Sequence, residues 1–100
     1  MIEVYRGPRD VAPYRAWMFA HASDGYVLNR HWDFALREFR GLIHRTNCTR
    51  VQDYLGPPAD PLSDGRYKAC SIDLAALSDW GTYAHRSAPH TPPSRCTRCP

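Results

Sequence analysis

The sequence predicts a small α+β domain, a short antiparallel sheet with one or two helices, held together less by a large core than by a bound ion. Three observations point there. A chain of 100 residues makes one domain at most, so the expected unit spans 1–100. Nine Pro and six Gly punctuate the chain closely and leave little room for long regular elements. Third, His44 and Cys48 stand as His-x3-Cys in GLIHRTNCTRV, and Cys96 and Cys99 as Cys-x2-Cys in SRCTRCP. Two close pairs separated by a long stretch are how a tetrahedral site is usually divided along a chain. Each pair supplies two adjacent corners, and the chain between them folds back. Zinc favours thiolate and imidazole, and four such ligands close a structural site. The expectation is a zinc-stabilised domain, with Zn2+ on His44, Cys48, Cys96 and Cys99 and pinning the segment that holds the second pair.

The competing reading makes the cysteines core residues or disulfides, and Cys48, Cys70, Cys96 and Cys99 allow three pairings. The opening MIEVYRGPRDV is charged and lacks an apolar h-region, and no apolar run is long enough to span a membrane. A cytoplasmic chain is therefore expected, with reduced thiols, which favours metal over disulfide. A domain of this size has a net stability of about 5–15 kcal/mol. Structural zinc contributes an apparent ~10–16 kcal/mol in small modules. The two are of one size, so the metal-free chain is expected to be loose or unfolded. Cys70 is the awkward thiol, alone on a predicted strand. Such a cysteine is usually a small buried hydrophobe, but it is the replacement ligand if His44 does not bind. His21, His31, His85 and His90 have no partner at ligand spacing.

Along the chain, residues 10–22 (DVAPYRAWMFAHA) predict a short helix with Asp10 as N-cap and Pro13 tolerated in the first turn. Tyr14, Trp17 and Met18 recur at i, i+3, i+4 and form its buried face. Asp24-Gly25 is a turn signal. GYVLNRHW reads as a strand, and FALREFRGLIHR either as its hairpin partner, turning around residues 31–33, or as a helix spaced on Phe34, Leu36 and Phe39. Residues 55–66 (LGPPADPLSDGR) hold three prolines and two glycines and predict a loop. RYKACS follows as a strand. Ser71 is the expected N-cap of a helix over DLAALSDWGTYA, with Asp73 favourable in its first turn and Leu74, Leu77 and Trp80 facing the sheet. Residues 85–95 predict a second proline-rich loop.

These residues also resemble a family. The run DGYVLN, GLIHRTNC, YKACSIDLAAL and SRCTRCP is similar to the metal-binding domain of Ada, the bacterial alkylation-response DNA repair protein, over about residues 24–100. That domain carries a DG-plus-strand segment, then Cys-Arg-Pro-x-Cys, a strand, a Ser/Ala-rich helix and a closing Cys-x-x-Cys-x-Pro. The resemblance places Cys48, Cys96 and Cys99 on three of its zinc ligands. It places His44 on the fourth, the methyl-accepting cysteine, and Arg45 on the arginine after it. It also favours strands, hence the hairpin, over residues 25–45. The chain departs from the pattern in two ways: imidazole replaces the acceptor thiol, and the loop between the pairs is longer. The resemblance therefore implies a zinc-binding module without methyl transfer.

Charge distribution bears on partners. Residues 30–50 carry Arg30, Arg37, Arg40, Arg45 and Arg50 against Asp33 and Glu38. Residues 84–100 carry Arg86, Arg95 and Arg98 and no acid, whereas residues 51–83 carry five aspartates against Arg66 and Lys68. Zinc would fasten the two basic segments together. Arginines grip phosphate bidentately, so Arg37, Arg40, Arg45, Arg50, Arg95 and Arg98 are the candidate contacts to DNA or RNA. The alternative is a scaffold for a protein partner, with Trp32 and Tyr54 as aromatic anchors. An enzyme is not expected, nor a small-molecule substrate. A closed four-ligand site has no open position, and no Ser-His-Asp arrangement, phosphate-binding glycine loop or His-x-Glu signature occurs.

Overall fold

The computed structural model describes residues 1–35, 37–53, 55, 61, 62, 67–83 and 93–99, and only the backbone over 30–33 and 38–40. The elements run β1 (Glu3–Arg6), α1 (Val11–Ala20), β2 (Tyr26–Asp33), β3 (Glu38–Arg45), α2 (Thr49–Gln52), β4 (Tyr67–Ser71), α3 (Leu74–Tyr83) and β5 (Ser94–Arg95), with a 3-10 turn at Pro8–Asp10. The five strands form one sheet in the order β1-β4-β2-β3-β5. The fold is α+β, as the sequence predicts. The sheet is mixed rather than purely antiparallel, because β5 joins the edge strand β3 in parallel. Among the described residues it carries three helices, one of them the four-residue α2, rather than one or two.

Strand alternation sorts side chains onto two faces. Cys70, Val27 and His44 face one another across β4, β2 and β3, and Ala69, Leu28 and Ile43 form the adjacent row on the opposite face. The first face is covered by α1, whose Tyr14 and Met18, one turn apart, are fully buried with Val27, Cys48, Val51, Leu62 and Cys70. The second is covered by α3, through fully buried Leu77 and the partly buried Leu74 and Trp80. Burying a side chain such as Leu77 stabilises by about 1.5–3 kcal/mol.

Several local readings shift. Pro13 does sit in the first turn of α1, where its missing N–H has no intrahelical acceptor to lose. Asp10 precedes the helix but does not cap it; its Oδ2 instead accepts the Arg6 amide at 2.6 Å. Asp73 rather than Ser71 caps α3, accepting the Ala76 amide on Oδ1 at 3.0 Å, while the Ser71 Oγ accepts the Asp73 amide. The hairpin is real, but Asp33 pairs with Glu38, so the turn involves Phe34, Ala35 and Arg37 and not residues 31–33. Of the loop at 55–66, only Leu55, Pro61 and Leu62 are described, and Leu62 is buried in the core. Most of the 85–95 loop lies outside the described residues, and its last two residues form β5.

Candidate metal centre

His44 is the penultimate residue of β3, and its ring points to the α1 face of the sheet at 5% exposure. The chain then reverses in a turn closed by the Cys48 amide donating to the Arg45 carbonyl at 3.0 Å. Thr46 pins that turn. It is buried, its hydroxyl donates to the His21 carbonyl at 2.6 Å, and its amide donates to the Gly25 carbonyl at 3.1 Å. Gly25 is closely packed here: an added Cβ would lie 2.7 Å from Trp17 and 2.8 Å from Thr46, so one of them would have to shift. The Gln52 side chain donates to the Thr46 carbonyl. Cys48 thus becomes the N-cap of α2, its carbonyl accepting from Val51 and Gln52 while its thiol makes no capping bond.

The second pair arrives on β5. Pro93 packs against Gly41 of β3 and Gly81 of α3, where an added Cβ would approach it to 3.4 and 2.9 Å respectively. Ser94 and Arg95 pair with Leu42 and Ile43, and the Cys96 amide donates to the Ile43 carbonyl at 2.8 Å. Backbone pairing therefore sets the Cys96 thiol beside the strand that carries His44.

The ligand atoms of His44, Cys48, Cys96 and Cys99 all lie within 4.8 Å of one another, and the Cys99 Sγ is 3.9 Å from the His44 Nδ1. A tetrahedral zinc, with Zn–S near 2.3 Å and Zn–N near 2.0–2.1 Å, separates neighbouring ligand atoms by roughly 3.5–3.8 Å. These four side chains could hold a metal ion with little rearrangement. The four cysteines are free thiols, so none of the three disulfide pairings is present.

Electrostatics favour deprotonated ligands at two of the four positions. Burial, then the charges of Lys68 and Arg50, hold the His44 imidazole below its usual pKa, leaving it neutral and able to coordinate. Burial by itself pushes the Cys96 thiol up. Hydrogen bonds from the Arg98 backbone, the Cys99 and Cys48 thiols and the Cys99 backbone outweigh it and hold the thiol below the ordinary value. Cys99 is pushed up to about 12, by burial first and then by the Cys48 thiol beside it, although the Arg45 backbone lowers it. Three thiols this close cannot all ionise without a cation between them.

Cys70 is excluded from the cluster by the sheet itself. It and His44 flank Val27 on opposite sides, two strand spacings apart, roughly 10 Å. It is fully buried in the core, and its thiol is held in the protonated form chiefly by burial.

Of the six candidate nucleic-acid contacts, Arg45, Arg50, Arg95 and Arg98 flank the ligands directly and are exposed. Arg50, Arg95 and Arg98, with Leu42, Cys96 and Thr97, line an open cleft of about 280 Å³. Arg37 lies in the hairpin turn, in the left-handed region at φ 53°. Six strand residues separate it from His44, roughly 20 Å, which sets it apart from the metal centre. Arg40 lies on β3, but its side chain is outside the described residues, as are the Trp32 side chain and Tyr54. Sequence reasoning gathers these arginines on one basic face but misses the cleft between them, which depends on the parallel docking of β5.

The fold and the cluster define a small α+β domain with a His/Cys3 site able to hold a metal ion. No match to a protein family, a curated protein or a solved structure was found for this chain. Among the described residues, no helix is long and apolar enough to cross a membrane.

Proposed function

We propose that this chain is a non-catalytic structural-zinc module of the Ada type that binds nucleic acid, DNA or RNA, through the basic face around its metal. The observation that carries the reading is the interleaving of ligands and arginines. Arg45 follows His44, Arg50 lies two residues beyond Cys48, Arg95 precedes Cys96, and Arg98 lies between Cys96 and Cys99, all four exposed. Three thiolates and one imidazole are a donor set that suits zinc, and four protein ligands leave it no open position for a water or substrate. The residues' part is then mechanical. His44 and Cys48 hold the turn after β3, Cys96 and Cys99 hold the segment after β5, and the ion fixes both basic segments on one side. A cytoplasmic setting, with reduced thiols, suits this chemistry.

The test has two parts. Elemental analysis of protein purified without added metal is expected to find one zinc per chain. Titration of duplex and single-stranded oligonucleotides is expected to give affinities of roughly micromolar or weaker at physiological salt. If about three or four phosphates are neutralised, log affinity falls against log salt with a slope of about −3. A zinc-free chain that folds fully defeats the first half. Absence of binding to either nucleic acid at low salt transfers the reading to a scaffold for a protein partner.

A further inference from the structure

We propose that the cleft between α2 and the Cys96–Cys99 turn is a site for one dianionic phosphate group, the terminal phosphate of a nucleic acid strand. The identity of the carrier rests on the nucleic-acid reading above; the phosphate chemistry of the cleft does not.

Three arginines, Arg50, Arg95 and Arg98, line a space of about 280 Å³, and among the described residues no acidic one lines it with them. Among the described residues, no carboxylate forms an ion pair with any of the three. Like charges gathered on one small concavity oppose one another, and a bound anion relieves that repulsion. A guanidinium presents a planar fork of donors that matches phosphate oxygens bidentately. Thr97 adds a hydroxyl to the wall, and Leu42 an apolar surface.

Charge and size then choose among phosphates. Three arginines bring +3. The adjoining centre, a divalent cation with three thiolates, one of them from the lining residue Cys96, brings −1. The surplus of +2 matches a phosphate monoester, which carries about −1.5 to −2 at neutral pH, better than the single charge of an internal phosphodiester. The volume lies just below the roughly 300–1,000 Å³ of typical small-ligand pockets. That suits one phosphate with its sugar, not a groove that follows a backbone.

The experiment uses the full zinc-loaded chain and one short oligonucleotide sequence made with a terminal phosphate or a terminal hydroxyl, with inorganic phosphate as a separate titrant. The phosphorylated strand is expected to bind about tenfold more tightly, the effect of one or two charge-assisted hydrogen bonds. The double variant Arg95→Gln/Arg98→Gln is expected to erase that preference while keeping its zinc. Equal affinity for the two ends overturns the inference and leaves the nucleic-acid reading in place. A preference that survives in the double variant overturns the assignment to this cleft. Saturable binding of inorganic phosphate, lost in the double variant, with no oligonucleotide binding supports the cleft as a phosphate site and overturns the nucleic-acid carrier. No binding of phosphate or of either strand overturns both.

Discussion

The Cys96 amide donates to the Ile43 carbonyl at 2.8 Å, so the first thiol of the second pair hangs from the strand residue immediately before His44. One ladder hydrogen bond thus joins the two halves of a ligand set that lie far apart in sequence. The arrangement makes the site a product of sheet pairing, and it separates cysteines that look alike in sequence.

Cys96→Ser and Cys70→Ser are expected to diverge. Cys96→Ser removes a ligand from the four-residue cluster. It should lose the metal and cooperative melting with it, since structural zinc contributes an apparent ~10–16 kcal/mol in small modules. Cys70→Ser places a hydroxyl in the core beside Val27, at a cost of about 1–3 kcal/mol, and should keep its zinc. Zinc content and thermal melts of the two variants decide the matter; identical behaviour would refute the ligand assignment.

Acid should release the metal, because imidazole and thiolates must all be deprotonated to bind. Any folded fraction that the metal-free chain retains has its own dependence. The folded-state pKa of His44 is lowered by burial, Lys68 and Arg50, so the unfolded chain takes the proton first as pH falls. That contribution is fully present above the unfolded value near 6.5 and disappears as pH falls through the lower folded one. Cys99, raised to about 12, has the opposite sign. Its contribution disappears as pH rises above the ordinary thiol value, where only the unfolded chain ionises. Zinc measured after dialysis near pH 4 should be absent; full retention counts against His44 and the cysteines together.

Gly25→Ala should destabilise the domain while leaving its metal in place. The new methyl meets the Trp17 ring at 2.7 Å and the Thr46 methyl at 2.8 Å. Overpacking of this kind typically costs about 1–3 kcal/mol. A denaturation midpoint unchanged from the parent would show that Trp17 moves aside freely.

The chain is expected not to take a methyl group from methylated DNA phosphates. On the proposed Ada-type reading, the nucleophile of the repair domain is a metal-bound thiolate, and position 44 of this chain offers an imidazole instead. Mass spectrometry after incubation with methylphosphotriester DNA should show no added mass. Methylation of His44 or Cys48 would reverse this expectation.

What was legible in the sequence is what depends on near neighbours. The two pairs that cluster in space were readable because their spacings are three and two residues. The buried face of α1 was readable because Tyr14 and Met18 lie one turn apart. The strand over RYKACS was readable as well and is observed as β4, but its burial on both faces, Lys68 included, was not. The hairpin turn was misplaced because residues 31–33 carry no turn chemistry strong enough to fix it. The reversal falls instead beside Arg37, a non-glycine residue at positive φ, with Phe34 left 85% exposed. The cap of α3 moved from Ser71 to Asp73, two residues with nearly equal capping preference. Neither β1 nor β5 has a pattern of its own. Four and two residues become strands only because β4 and β3 offer unpaired edges.

The parallel docking of β5 has a consequence for how insertions are tolerated. An ion held by both Cys48 and Cys96 would act as a cross-link closing a loop of about 48 residues. On the chain-entropy account, a closure of that size removes about 4 kcal/mol of freedom from the unfolded ensemble. Closure entropy grows only with the logarithm of loop length, so ten further residues between the two pairs change it by a few tenths of a kcal/mol at most. Lengthening the span between Cys48 and Pro93 therefore adds little closure cost, provided Val51, Gln52, Leu62, β4 and α3 keep their packing. A shift of a single residue between β5 and Cys96, by contrast, rotates the thiol away from the ion.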